Sequence, residues 1–96
     1  MAAYLISNIE PIDPEAYEEY KQKVGATFAA FGGRVIVRPG KLMEVLEGDW
    51  VPKRLVIIEF PDVARLKAWY DSPEYRPLLE LRLRAAKSSL VFIEGA

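Results

Sequence analysis

Three features of the sequence predict an α+β sandwich, with helices on one face of an antiparallel sheet. The segments run in the order strand, helix, two or three strand pieces, helix pair, strand. Asp13 and Asp62 stand where helices begin, and the strands at both ends of the chain are almost wholly apolar. That order is the split βαβ, or ferredoxin-like βαββαβ, pattern. Helices on one side leave the other side of the sheet bare. With strands this apolar, a second copy packed sheet to sheet is expected to cover it.

Ala3 to Ile9 is short, apolar and bounded by Pro11, and reads as a buried strand. Asp13-Pro14-Glu15 starts a helix: Asp as the cap, Pro at the first helical position, Glu near the positive end of the dipole. Tyr17, Tyr20, Val24, Phe28 and Phe31 then fall on one helical face. Gly25 weakens that helix by about 1 kcal/mol relative to alanine, and Gly32-Gly33 stops it. Arg34 to Arg38 and Leu42 to Glu47 read as strand segments around Pro39-Gly40, either a tight hairpin or one strand bent at a bulge. Gly48 to Lys53 is a loop. Arg54 to Phe60 is a β-branched strand closed by Pro61. Asp62 caps a second helix with Val63, Leu66, Trp69 and Tyr70 on one face. Ser72-Pro73 restarts a third helical piece running to about Lys87, irregular near Pro77. Leu90 to Ile93 is the last strand. No repeat or linker interrupts the chain, so residues 1–96 are read as one domain.

Composition narrows the chemistry. Hydrophobic residues make up 51% and charged residues 28%, a globular profile. A net charge of −1 provides no long-range field for nucleic acid or an anionic membrane, so neither is expected as a partner. A chain this short leaves much of its surface exposed, which again favours a homodimer. The absence of cysteine removes disulfides and thiol nucleophiles. The absence of histidine removes the usual general base near neutral pH and the commonest transition-metal ligand. No cofactor is implied. The amino-terminal residues lack a signal peptide's basic and long apolar regions. No apolar run approaches the roughly 20 residues that span a bilayer. A cytoplasmic protein is expected.

The candidate site residues come from charges placed in strands. Simple alternation puts Arg34, Ile36 and Arg38 on one strand face and Val35 and Val37 on the other. If the valines pack on helices, both arginines face the interior of a two-sheet assembly. There they would bind a carboxylate or enolate, or form salt bridges with Glu44, Glu59 or the partner subunit. Glu44 and Glu59 are the catalytic candidates, as general base or as counterion. Glu44, Glu47 and Asp49 carry oxygen ligands, but their spacing matches no calcium loop, so no metal site is expected. Trp50 would lid a pocket or plug a dimer interface. Tyr70 and Tyr75 are core positions first, with a hydroxyl reaching a ligand as the second reading. Arg76, Arg82, Arg84 and Lys87 read as a solvated helix face, with Glu80 four residues before Arg84.

Four stretches carry a family resemblance: Phe31-Gly32-Gly33-Arg34, Val45-Leu46-Glu47-Gly48-Asp49-Trp50, Ile58-Glu59-Phe60-Pro61 and Trp69-Tyr70-Asp71-Ser72-Pro73-Glu74-Tyr75. In that order they resemble the domain of unknown function 1330 family, of the dimeric α/β-barrel group of ferredoxin-like folds. The resemblance implies a homodimer whose two sheets form a barrel. It implies no activity and no catalytic residue. Related families in that fold group include cofactor-free monooxygenases, small-ring isomerases, haem-degrading enzymes and ligand-binding regulators, so fold alone does not choose among chemistries. Members of the resembled family often carry histidine at the position of Asp71, and chemistry resting on that histidine has no counterpart here. The residues therefore support a small dimer with a cleft for a small anionic or aromatic ligand. The alternatives are a cofactor-free enzyme, monooxygenase- or isomerase-like, acting on an enolisable aromatic acid, and a purely structural or interaction dimer.

Overall fold

In the computed structural model, which describes all 96 residues, strand β1 (Ala3–Pro11) is an inner strand of a four-stranded sheet. The other strands are β2 (Arg34–Val37), β3 (Leu55–Phe60) and β4 (Ala86–Glu94), in the order β2-β3-β1-β4, and every neighbouring pair is antiparallel. The helices are α1 (Pro14–Ala29), α2 (Val63–Tyr70) and α3 (Arg76–Ala85). Together they make the expected ferredoxin-like α+β fold, with the helices on one side of the sheet.

Local chemistry sets the helix starts. The Asp13 side chain accepts from the Ala16 N–H at 3.2 Å, and Asp62 accepts from the Arg65 N–H at 2.8 Å, each satisfying an orphan donor of the first turn. Gly32, at φ +82°, takes the left-handed conformation that ends α1. Pro73 is followed by a turn rather than a helix. Ser72 Oγ donates to the Trp69 carbonyl and accepts from the Tyr75 N–H, and α3 begins only at Arg76 with Pro77 in its first turn.

Alternation along β1 sorts the two sheet faces. Ala3, Leu5, Ser7 and Ile9 are buried beneath the helices, opposite Phe60, Ile58 and Val56 of β3. Tyr4, Ile6 and Asn8 point to the bare face, opposite Glu59, Ile57 and Leu55 and beside Ile93, Val91 and Ser89 of β4. That bare face exposes Val37, Val91 and Ile93 to solvent. No helix is long and apolar enough to cross a membrane.

Three sequence expectations are corrected. Leu42 to Glu47 forms no strand, because nothing within one copy of the chain pairs with it. Pro39-Gly40 is a turn, with Gly40 at φ +100°, leading into an exposed arm. The final strand is longer than Leu90 to Ile93: Ala86 to Ser89 leave the helix to pair with Pro11 to Asn8 of β1. The third correction alters the site. Arg34 lies opposite Glu59 and Val35 opposite Ile58, but Val37 lies opposite Ile57, so Ile36 is an extra residue in β2. A bulge of this kind inverts the alternation beyond it. Arg34 and Val37 therefore share the bare face, while Val35 and Arg38 turn toward the helices.

Candidate functional site

A cavity of about 270 Å³ lies between α1 and the helix-side face of the sheet. Its walls are apolar: Val24 and Phe28 from α1, Val35 from β2, Val56 and Ile58 from β3. Gly25 also borders it, and a methyl group there would meet nothing within 4 Å. A glycine inside a helix costs about 1 kcal/mol relative to alanine. Gly25→Ala is therefore expected to raise stability by about 0.5–1 kcal/mol in urea unfolding while taking room from the cavity.

The polar lining is one-sided. Lys21, Arg38 and Arg54 border the cavity and no carboxylate does. Lys21 is paired with Glu18 at 3.3 Å, whereas Arg38 and Arg54 take part in none of the chain's ion pairs. Arg54 is held firmly at its backbone. Its N–H and that of Lys53 donate to Asn8 Oδ1 at 3.2 and 2.8 Å, and its carbonyl accepts from the Ile9 N–H at 3.0 Å. Its guanidinium lies 5.6 Å from the centre of the Tyr17 ring, a cation–π contact. Its Nε is buried with no hydrogen-bond partner. A charged donor left in that condition is an unfilled half of an interaction.

Beside the cavity runs a buried polar chain. The Tyr20 hydroxyl, on a residue lining the cavity, lies 2.9 Å from the Tyr75 hydroxyl. Arg82 donates from Nε to Tyr75 Oη at 3.4 Å and from Nη1 to Ser88 Oγ. Burial, and then the neighbouring Tyr75, push the Tyr20 phenol well above the usual tyrosine value. Burial opposes the charge on Arg82, but the Tyr75 and Tyr20 oxygens outweigh it, so the arginine stays charged.

The sequence-derived candidates are dispersed. Arg34 pairs with Glu59 at 2.7 Å on the bare face, across the sheet from the cavity, with side chains 74% and 24% exposed. The Arg34 hydrogen bond holds the Glu59 carboxyl below the usual glutamate range. Arg38 alone of the arginine pair borders the cavity. Glu44 and Trp50 lie on the exposed arm, Trp50 being 63% exposed, and Glu44, Glu47 and Asp49 form no cluster that could hold a metal. Tyr75 is fully buried in the polar chain. Tyr70 borders a separate, open groove with Leu66, Leu90 and Phe92. Arg82, read from sequence as solvated, is only 3% exposed.

Three site residues escaped the sequence reading although spacing marks each. Arg54 shares the alternation of Val56, Ile58 and Phe60, which puts it on the helix side. Arg82 continues the stripe of Leu78 and Ala85. Tyr20 shares the one helical face of α1 with Tyr17, Val24 and Phe28.

Solved structures share this frame. A protein of unknown function from Rhodopseudomonas palustris superposes with a TM-score of 0.77 at 23% identity, over 99% of this chain and 82% of that one. The cofactor-independent oxygenase SnoaB from Streptomyces nogalater superposes at 0.65 with 14% identity, over 99% and 93%. A dimeric ferredoxin-like protein of unknown function from Thermobifida fusca gives 0.66 and 14%, over 99% and 92%. At these identities the likeness is one of fold. No curated protein matches the chain. The family model for Domain of unknown function (DUF1330) aligns with residues 2–96, so the helix bearing Gly25 and the strands bearing Arg54 and the bulge all lie inside it, and the chain belongs to that family.

Proposed function

We propose that the protein is a homodimer in which each subunit binds a small single-ring carboxylate between α1 and the sheet. The observation that carries this reading is Arg54: a half-buried side chain whose Nε is enclosed and unpartnered, in a cavity bordered by three cations and no acid. Arg54 and Arg38 would hold the carboxylate, since a guanidinium presents paired donors to it. Val24, Phe28, Val35, Val56 and Ile58 would enclose the ring. The volume is at the small end of ligand cavities, which suits one ring rather than two.

Binding is favoured over turnover by the same lining. Glu44 and Glu59, the candidate bases, lie on the arm and on the opposite sheet face, so no carboxylate stands ready to abstract a proton from a bound acid. The likeness to the oxygenase SnoaB supports the frame and not its chemistry.

The dimer reading rests on the bare face. Ile6, Leu55, Ile57, Val91 and Ile93 form an apolar surface with no cover in one subunit. Leu42 and Leu46 on the arm are exposed as well, at 89% and 90%. Patches of this kind mark association sites, and similarly folded proteins are described as dimeric.

Thermal unfolding with added ligand tests the site. Benzoate-type acids are expected to raise the melting temperature, because a ligand bound only by the native state stabilises it by mass action. The matching neutral amides are expected to do so much less. Arg54→Leu should abolish the difference. Equal shifts from acids and amides, or an undiminished response in Arg54→Leu, would remove the anion site.

A further inference from the structure

Two parts of the chain with strand chemistry are left without a neighbour. The first is β4, an edge strand that pairs only with β1 and leaves its outer row of backbone groups open. Its second half is apolar on both faces, with Val91 and Ile93 on the bare side and Leu90 and Phe92 on the helix side. Leu90 and Phe92 line an open groove of about 610 Å³ beside Leu66 and Tyr70. The second part is the arm at residues 41–47, which makes no backbone hydrogen bond and exposes Leu42, Met43, Val45 and Leu46.

The two do not meet within one subunit. The arm leaves the sheet at β2, and β4 is the opposite edge, three strand spacings or about 14 Å away. Lys41 follows Val37 by four residues, which reach about 14 Å only when fully extended. The turn at Pro39-Gly40 takes away that reach. A second copy brings the edge closer. β2 and β4 run in opposite directions, since every neighbouring pair in the order β2-β3-β1-β4 is antiparallel. A two-fold axis along the strands of a sheet-to-sheet dimer sets each β2 antiparallel over the partner's β4, about 10 Å away.

We infer that residues 41–47 of each subunit add as an antiparallel strand to the free edge of β4 in a second copy. The pairing rests on the reading of the protein as a homodimer and adds the segment that locks it. Charge sets the direction. Each segment begins near a lysine and ends on a glutamate: Lys41 and Glu47 on the arm, Lys87 and Glu94 on β4. Antiparallel pairing brings opposite charges together at both ends, whereas parallel pairing sets like against like, which is destabilising. With Lys41 opposite Glu94, Leu42 meets Ile93, Met43 meets Phe92 and Val45 meets Leu90. Opposite residues share a sheet face, so Met43 and Val45 close over the groove that Phe92 and Leu90 line. Backbone bonds along the edge supply the attraction, and the side-chain rows supply the register.

Disulfide trapping tests the pairing, because the chain has no cysteine of its own to interfere. The double variant Met43→Cys/Phe92→Cys, oxidised at micromolar concentration, is expected to run mostly as a covalent dimer on a non-reducing gel. Directly opposed strand positions meet the Cα spacing that a disulfide requires. Met43→Cys/Leu83→Cys is the control and should stay unlinked, since Leu83 is exposed on the helix layer. Sedimentation of the wild type, run beside the gel, separates this inference from the homodimer reading. If the wild type is a dimer but Met43→Cys/Phe92→Cys stays unlinked, links within one chain, or links no better than the control, the arm pairing is overturned and the homodimer stands. A monomeric wild type removes both. Should the double variant not fold, hydrogen exchange of the wild-type dimer decides: amides of residues 42–46 are expected to be protected, and fast exchange there overturns the pairing.

Discussion

Ile57→Asp is expected to yield a monomer of 10.9 kDa where the wild type sediments as a dimer at micromolar concentration. Ile57 occupies the middle of the bare sheet face, opposite Ile6 on one side and Val37 on the other, with Val91 beyond Ile6. In a sheet-to-sheet dimer that position is the farthest from water. An unpaired carboxylate there loses its hydration without a partner, a cost of several kcal/mol per ion. Dimer affinity should therefore fall by at least about a thousandfold, since 1.4 kcal/mol is a factor of ten. Leu83→Asp is the control, because Leu83 is already solvent-exposed on the helix layer and should leave the dimer intact. Sedimentation equilibrium on the three proteins separates the outcomes. A dimeric Ile57→Asp protein, or a well-folded monomeric wild type, would show that the bare face is not the interface.

How far the sequence revealed this arrangement depended on which physical rule governed each residue. Element order was legible because period-2 and period-3.6 patterns report one buried face each, as Ala3-Leu5-Ser7-Ile9 and Tyr17-Tyr20-Phe28 do. The helix starts at Asp13 and Asp62 were legible because capping is local chemistry. The bulge at Ile36 was not. Nothing in Arg-Val-Ile-Val-Arg marks the extra residue, because a bulge is a property of two strands, and the partner register is set by long-range pairing with β3. One unpaired residue was enough to move Arg38 to the opposite face from Arg34. The arm failed for a related reason: Leu42 to Glu47 has strand-like composition, but a strand needs a neighbour. Arg54 keeps step with the strand alternation and Arg82 with the helical stripe, yet arginine reads as exposed by default. A charged residue in step with a buried stripe is the more informative observation.

Trp69→Ala is expected to lower stability by about 3–5 kcal/mol, the usual cost of deleting a large aromatic ring from a core. Trp69 is 1% exposed and touches every layer that shapes the site. Its ring centre lies 6.4 Å from Phe28 of α1, 5.6 Å from Phe60 of β3 and 4.2 Å from Tyr75 before α3. Its Nε1–H donates to Thr27 Oγ1 at 3.0 Å, tying α2 to α1. Since the native state of a small domain stands only about 5–15 kcal/mol below the unfolded chain, this one ring carries a large fraction of the margin. The site should suffer with the fold, because Phe28 is a cavity wall and Tyr75 holds Tyr20. Trp69→Phe separates the contributions. It keeps most of the aromatic packing and removes the bond to Thr27, whose hydroxyl still donates to the Val24 carbonyl. Its cost should be smaller, about 1–2 kcal/mol. Urea unfolding at one fixed protein concentration measures both variants, because dimer formation adds a concentration-dependent contribution to apparent stability. A loss below about 1 kcal/mol for Trp69→Ala would place the ring outside the core that supports the cavity.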